Sequence, residues 1–181
     1  MKAVLKLLKR TMLGAFGAEL RIKPSLRCNA RFYGSDYGGF YLNPDLIGSD
    51  SVVYSFGIGE DISFDREVIR LHDCQVHGFD PTPRSIKWVK SQELPRNFTM
   101  HEFGIARETG LATFYLPKNE NFVSGSLIGH GSVRADVPIQ VPVKSFADII
   151  GSLEHKVIDV LKMDIEGAEY DVLESILESQ A

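Results

Sequence analysis

The sequence predicts a single α/β domain, in which helices cover both faces of a parallel sheet. Three observations support this fold class. Runs rich in β-branched and aromatic residues alternate with segments of helical periodicity. The first run ends in a glycine turn at Gly57–Gly59, as strands do where they lead into a helix beside a ligand. The run Val157–Met163 is almost continuously apolar, which is typical of a strand covered on both faces.

Three strands and two helices make up the first half of this alternation. The strands are predicted at 51–56, 75–79 and 98–103. Apolar residues at helical spacing across 64–71 predict a helix after the first strand, with Asp61 or Ser63 available as its cap. The dipeptide Thr82-Pro83 predicts a second helix after the second strand, because proline is favoured at the first position of a helix.

Two shorter strands follow, separated by a long polar loop. The strands are predicted at 112–116 and 137–143. The second contains two prolines, which indicates an edge strand or a hairpin partner. The loop 117–136 fits a functional lid and plain disorder equally well.

The chain then returns to the central alternation. Ser145 and Asp148 form a capping box, which predicts a helix through Leu153. The apolar strand 157–163 comes next. Helical spacing predicts a last helix with an apolar buried face, made of Val172, Leu173, Ile176 and Leu177.

Length and charge limit the classes of function. A chain of 181 residues is long enough for one domain with a real core. Its net charge of −4 argues against a dedicated nucleic-acid binder. Residues 1–31 differ, because they carry eight Lys or Arg residues and one Glu, which leaves −11 for residues 32–181. We therefore divide the chain into a basic N-terminal helix with a loop-rich segment (1–50) and the α/β domain proper (51–181).

The basic start of the chain predicts a short amphipathic helix at residues 1–20. We favour packing against its own domain, and weak contact with an anionic membrane surface is the alternative. No apolar run reaches the roughly 20 residues that span a bilayer. Cys28 and Cys74 show neither a disulfide framework nor paired metal-ligand spacing, which predicts a reducing, cytoplasmic location and no metal.

A glycine turn and a later acid indicate the class of ligand. Gly57 and Gly59 let a ligand approach the backbone closely at the positive end of a helix. Asp80 ends the next strand 21 residues after Gly59, where an acid accepts hydrogen bonds from ribose hydroxyls. NAD and S-adenosylmethionine both satisfy this pattern. Ile62 stands where the dinucleotide fingerprint has a third small residue, which favours S-adenosylmethionine without excluding NAD.

A group of acids follows the apolar strand. Asp164, Glu166 and Glu169 lie at its predicted carboxyl end, where α/β sheets bind their ligands. We interpret Asp164 as functional, because an acid that closes a buried strand needs a partner. Negative charge is also stabilised at a helix N-terminus, and for Glu169 we favour that structural role.

Three residues near the second strand raise the question of a metal. His72, Cys74 and His77 are close in sequence, but His72 ends a predicted helix and His77 lies in a predicted strand. Solvated or core histidines are therefore the favoured interpretation. His101 and His130 are possible bases without a distinguishing context.

Four stretches in a fixed order resemble the FkbM-type methyltransferases. They are VVYSFGIGEDISFD (52–65), HGFDPTP (77–83), FGIA (103–106) and LKMDIEGAEYDVL (161–173). The resemblance covers residues 38–178, and the D-x-E-G-x-E element is its most specific part. It implies a Rossmann-like class I methyltransferase sheet and transfer of a methyl group from S-adenosyl-L-methionine, usually to an oxygen.

The resemblance also implies roles for individual residues. The glycine turn would hold the methionine end of the cofactor and Asp80 its ribose, while the D-x-E-G element would border the reaction centre. The candidate catalytic residues are therefore Asp164 and Glu166. The candidate cofactor-binding residues are Ser55, Gly57, Gly59, Asp61, Asp80, Gly104 and Ile105.

The chain departs from the family pattern in two places. Ser55 stands where many methyltransferases have an acid that holds the cofactor's amino group, and we expect Asp61 to supply the missing charge. The sequence given ends at Ala181, whereas the resemblance implies further strands, so we expect a sheet truncated after the last helix.

Two other functions remain open at this stage. O-methylation of a small-molecule or glycan hydroxyl is the main interpretation. A non-catalytic Rossmann-like binding module, an inactive or incomplete methyltransferase core, is the alternative. An NAD-dependent oxidoreductase is a weaker alternative.

Overall fold

The structure is a computed structural model that describes residues 27–117, 133–165 and 167–179. Its strands are β1 (Arg31–Tyr33), β2 (Phe40–Leu42), β3 (Val52–Phe56), β4 (Gln75–Phe79), β5 (Phe98–His101), β6 (Gly104–Ile105), β7 (Gly110–Pro117), β8 (Val133–Lys144) and β9 (Val160–Met163). Its helices are α1 (Ser63–His72), α2 (Pro83–Lys90), α3 (Phe146–Leu153), α4 (Glu169–Ser179) and a short 3₁₀ helix, Pro44–Leu46. None of these helices is long and apolar enough to cross a membrane.

Four parallel strands form the central sheet in the order β5-β4-β3-β9. Helix α1 connects β3 to β4, and α2 connects β4 to β5. This arrangement confirms the predicted α/β fold class with a parallel sheet. Because the strands are parallel, their carboxyl ends meet at one edge, the edge at which such sheets bind ligands.

The chain after β5 differs from the predicted strand 98–103. β5 ends at His101, and Gly104 pairs instead with Val143 of β8 in a second sheet of order β6-β8-β7. A side chain at Gly104 would begin 3.0 Å from the Pro81 ring, so glycine permits this close crossing. The end of the predicted strand is therefore wrong, because a contact distant in sequence redirects the chain.

Strands β7 and β8 form an antiparallel pair, which confirms the prediction of a hairpin partner. Both are longer than predicted. Residues 118–132, which contain most of the predicted polar loop, lie outside the described residues, as do residues 1–26 with the predicted basic helix.

Apolar side chains pack on both faces of the central sheet. On β3, Val53 faces α1 and the β1–β2 hairpin, whereas Tyr54 and Phe56 face α3 and α4. All three are fully buried, as is Tyr33 of the hairpin. Burial of one such side chain contributes about 1.5–3 kcal/mol, so both helical layers are held to the sheet mainly by apolar packing.

The last two elements follow the prediction only in part. Ser145 accepts a hydrogen bond from the Asp148 N–H at 3.1 Å, which confirms the cap of α3. On α4, Val172 is buried, but Leu173 and Leu177 are 41% and 81% exposed, contrary to prediction. Helix α4 packs along one side only, because no strand lies beyond β9 in the described part of the sheet. β9 itself begins at Val160 rather than at residue 157.

A group of histidines lies on the α3 face of the sheet. His77 is 8% exposed, and its Nδ1 lies 3.0 Å from Nε2 of His101 in a hydrogen bond. The ring of His155 lies 4.7 Å from that of His77 and hydrogen-bonds to Tyr54. His77 is therefore a core residue, as predicted. Burial, with His101 and His155 nearby, lowers its pKa to about 4.

The low pKa of His77 predicts a loss of stability in mild acid. Between pH 6.5 and about 4 the unfolded chain binds a proton that the folded protein does not, so the free energy of unfolding falls as the pH falls. From pH 7 to 5 we expect a loss of roughly 1–2 kcal/mol from this residue, measured by urea unfolding. His77→Gln should flatten this dependence. His72→Gln, on the other face of the sheet, is the control, and equal pH dependence in all three proteins would contradict the prediction.

Candidate functional site

A cleft of about 260 Å³ opens at the carboxyl edge of the central sheet. It lies above the ends of β3, β4 and β9, as predicted for a ligand site in a parallel sheet. The residues that line it are Tyr37, Gly38, Phe56, Gly57, Ile58, Gly59, Glu60, Asp61, Phe79, Asp80, Pro81, Thr82, Gly104, Ile105, Phe114, Val143, Lys162, Asp164 and Ile165.

The turn after β3 requires glycine for two reasons. Gly57 and Gly59 adopt positive φ angles of 77° and 58°, which other residues rarely adopt. A Cβ atom on Gly57 would also lie 1.9 Å from the backbone oxygen of Asp164. Because Gly57 has no side chain, the end of β9 can lie directly against the turn.

Asp80 links the glycine turn after β3 to the residues that begin α2. Its carboxylate accepts hydrogen bonds from the Gly59 N–H at 2.9 Å and from the N–H and hydroxyl of Thr82 at 2.8 and 2.7 Å. The residue is 5% exposed and lines the cleft. A carboxylate has about four lone-pair sites, so Asp80 can accept a further hydrogen bond from a ligand hydroxyl.

Asp61 lies just before the N-cap position of α1, which is Ile62 rather than the predicted Asp61 or Ser63, and it forms part of the cleft wall. One oxygen accepts a hydrogen bond from the N–H of Ser63, the first residue of α1, at 2.7 Å. The other accepts from the Ser35 hydroxyl at 2.6 Å. Partial burial raises the pKa of Asp61, but the hydrogen bonds from Ser35 and Ser63 and the nearby Lys162 outweigh it, so the pKa lies below its ordinary value. A negative charge therefore lies at the N-terminus of α1.

Lys162 is a site residue that the sequence analysis did not single out. It lies on β9, is 8% exposed and lines the cleft. Its ammonium group donates a hydrogen bond to the backbone oxygen of Gly57 at 2.8 Å. Its position within the apolar run 157–163 could have identified it as a site residue, because a charge in a buried strand needs partners.

The structure brings together six of the seven candidate cofactor-binding residues. The six in the cleft wall are Gly57, Gly59, Asp61, Asp80, Gly104 and Ile105. The exception is Ser55, which is fully buried and is not part of this wall.

The acidic element after β9 is described in part. Asp164 lines the cleft and is exposed to solvent, whereas Glu166 lies outside the described residues. Glu169 accepts hydrogen bonds from the N–H groups of Ile165 and Gly167 at 2.9 and 2.8 Å. These contacts agree with the structural role favoured for Glu169.

Comparison with known proteins places this chain in a family. A family profile, the methyltransferase FkbM domain, matches residues 52–180. The human protein named probable methyltransferase-like protein 24 is 28% identical over 138 residues, which cover 76% of this chain and 31% of that protein. The rat protein of the same name is 29% identical over 125 residues, which cover 69% of this chain and 28% of that protein.

The similarity to solved structures is weaker. The crystal structure of methyltransferase FkbM from Methylobacillus flagellatus KT matches with a TM-score of 0.47 and 15% identity, over 74% of this chain and 30% of that one. The chain spans less than a third of the length of the curated relatives that it matches. The profile match, however, includes the glycine turn, Asp80 and the D-x-E-G element within one continuous range. The chain therefore belongs to the family of FkbM methyltransferase domains.

Proposed function

We propose that the protein transfers a methyl group from S-adenosyl-L-methionine to a hydroxyl oxygen of a small molecule or glycan. Membership of the FkbM methyltransferase family supports methyl transfer. The charges in the cleft support the choice of cofactor, and they are the observation on which the proposal rests.

The cleft pairs several carboxylates with one ammonium group. Among the described residues that line it, the charged side chains are Glu60, Asp61, Asp80, Asp164 and Lys162. Glu60 is neutralised by Arg84, which contacts it through two hydrogen bonds of 2.9 Å. The remaining groups suit a ligand that carries two positive charges and one negative charge. S-adenosyl-L-methionine has this pattern, with a sulfonium, an ammonium and a carboxylate.

The same cleft disfavours a dinucleotide. NAD-binding sites place a diphosphate at the N-terminus of the helix that follows the glycine turn. Here the carboxylate of Asp61 occupies that position, through its hydrogen bond of 2.7 Å to the Ser63 N–H. Ile62, the residue before α1, is buried in the core next to it, where the fingerprint has a small residue. Both features argue against a bound diphosphate.

Each residue of the cleft then has a proposed role. Asp80 would accept hydrogen bonds from the ribose hydroxyls. Asp61 would compensate the charge of the cofactor's ammonium group. This is the role predicted for it because Ser55 stands where many methyltransferases have an acid. Gly57 and Gly59 would let the cofactor lie close to the backbone.

The reaction requires little chemistry from the protein. The cofactor supplies a sulfonium methyl group, which is already a strong electrophile. Bound in the cleft, the cofactor would give this methyl group to a substrate oxygen and leave as the neutral thioether, and the hydroxyl proton would pass to a base. Asp164 is exposed at the mouth of the cleft and would bind this hydroxyl or accept its proton, with Glu166 as the other candidate.

Isothermal titration with S-adenosylhomocysteine and, separately, with NAD tests the proposal. We expect saturable binding of S-adenosylhomocysteine and none of NAD by a protein whose circular dichroism shows that it is folded. A folded protein that binds neither ligand would contradict the proposal and favour a non-catalytic binding module. Binding of NAD alone would favour an oxidoreductase.

Replacement of Asp164 separates catalysis from cofactor binding. We expect Asp164→Ala to bind S-adenosylhomocysteine within about threefold of the original protein, because Asp164 is exposed at the edge of the cleft. Transfer of labelled methyl groups to the best acceptor in a panel of sugars and hydroxylated small molecules should fall roughly 100-fold or more. The reverse result, weak binding with normal turnover, would assign Asp164 to the cofactor.

A further inference from the structure

Lys162 and Ser55 are neighbours in the floor beneath the cleft. The two residues are paired in the register of β9 and β3, so their side chains point to the same face of the sheet, towards α1. The Lys162 ammonium passes over the Phe40 ring at 5.2 Å and reaches the Gly57 oxygen at 2.8 Å. The side chain thus brings a positive charge from a buried strand to the glycine turn.

A buried carboxyl group lies near enough to Lys162 to interact with its charge. Asp65, in the first turn of α1, is 1% exposed, and neither of its oxygens forms a hydrogen bond of good geometry with another residue that the structure describes. The Ser55 hydroxyl is close enough to Asp65 to lower the pKa of its carboxyl group, although it forms no hydrogen bond of good geometry with a described residue. Burial raises the pKa of Asp65, whereas the Lys162 ammonium lowers it. Burial is the larger effect, so the pKa of Asp65 lies above its ordinary value, and Lys162 offsets the cost of burying a carboxylate only in part.

The ammonium group retains capacity for a ligand. An ammonium has three N–H donors, and the described residues accept one of them, through the Gly57 oxygen. Lys162 is also the only Lys or Arg among the described residues that line the cleft. Within the described cleft wall, the ammonium group of Lys162 is therefore the cationic group that could pair with an anionic group of a ligand.

We propose that Lys162 binds the carboxylate of the cofactor's amino-acid end and so selects a ligand that carries this group. This inference rests on the proposed function and adds to it the residue that recognises the carboxylate. Asp80 directly follows β4 and Lys162 lies on β9, and these strands flank β3 on opposite sides, about 10 Å apart by the usual spacing of strands. The ribose and the carboxylate are likewise at opposite ends of the sulfur-linked part of the cofactor.

The test compares two ligands on two proteins by isothermal titration. The ligands are S-adenosylhomocysteine and decarboxylated S-adenosylhomocysteine, which differ only in the carboxylate. The proteins are the original chain and the double variant Lys162→Met/Asp65→Asn, which removes the ammonium and the buried carboxyl group together at similar volume, so that neither ionisable group is left without the other. We expect the original chain to bind the decarboxylated ligand roughly 10- to 100-fold more weakly, and the double variant to bind both ligands alike.

Each outcome has a distinct meaning. If the original chain binds both ligands equally, Lys162 does not recognise the carboxylate and the proposed function still stands. If the double variant weakens both ligands by the same factor, Lys162 acts only as a structural support for Gly57, and the inference is wrong. If the original chain binds neither ligand, the proposed function fails and the inference with it. Equal binding of the two ligands by the original chain overturns the inference even if the variant does not fold.

Discussion

Asp80→Ala is expected to weaken the binding of S-adenosylhomocysteine by roughly 100-fold or more. The substitution removes the proposed acceptor of the ribose hydroxyls, and a hydrogen bond to a charged group contributes about 1.5–3 kcal/mol. It also releases the N–H groups of Gly59 and Thr82, which Asp80 holds at 2.9 and 2.8 Å. The glycine turn would then lose the hydrogen bond that supports its conformation.

Isothermal titration measures this effect, with circular dichroism as the check on folding. Asp50→Ala is the matched control, because Asp50 is an exposed aspartate outside the cleft. The control should bind S-adenosylhomocysteine normally. An Asp80→Ala protein that is folded and binds within threefold of the original would remove Asp80 from the site.

Gly57→Ala is expected to destabilise the protein by about 3 kcal/mol or more. The new Cβ would lie 1.9 Å from the Asp164 oxygen, and the backbone is at φ 77°. The nearest atom belongs to the backbone of the residue that follows β9, so a change of side-chain rotamer cannot relieve the clash. The turn and the end of β9 must move apart, which should also abolish cofactor binding.

Urea unfolding at neutral pH measures the loss, and α3 offers a matched control. Gly151 lies within this helix, and a Cβ there would meet nothing within 4 Å. Gly151→Ala should therefore stabilise the protein, by about 0.5–1 kcal/mol, because alanine favours the helix. Equal stability of the two variants would show that the contact between Gly57 and Asp164 is not close in solution.

Much of the cleft could be predicted from short stretches of sequence. The glycine turn, the acid at the end of the next strand and the capping residues are each defined by neighbours within a few positions. Gly57, Gly59 and Asp80 were recognised for this reason, and they line one cleft. Their grouping follows from the parallel order of β3 and β4, which the alternation of strands and helices already indicates.

Other parts of the site depend on contacts between distant residues. Lys162 reaches Gly57 across 105 positions, and the pairing of β6 with β8 carries Gly104 away from β5. Neither contact can be recognised from a pattern of neighbouring residues in the sequence. The exposure of Leu177 has the same origin, because helical spacing marks an apolar face without saying whether another element covers it.

The sequence by itself determined the α/β class, the glycine turn and the acids around it, because these depend on strand periodicity, backbone freedom and caps over a few residues. Only the tertiary structure decided that Lys162 supplies the cation of the described cleft wall and that the buried carboxyl group of Asp65 lies near it. The physical reason is that a buried charge is acceptable only with its partners, and the partners come from β3, α1 and β9. The folded sheet brings them together.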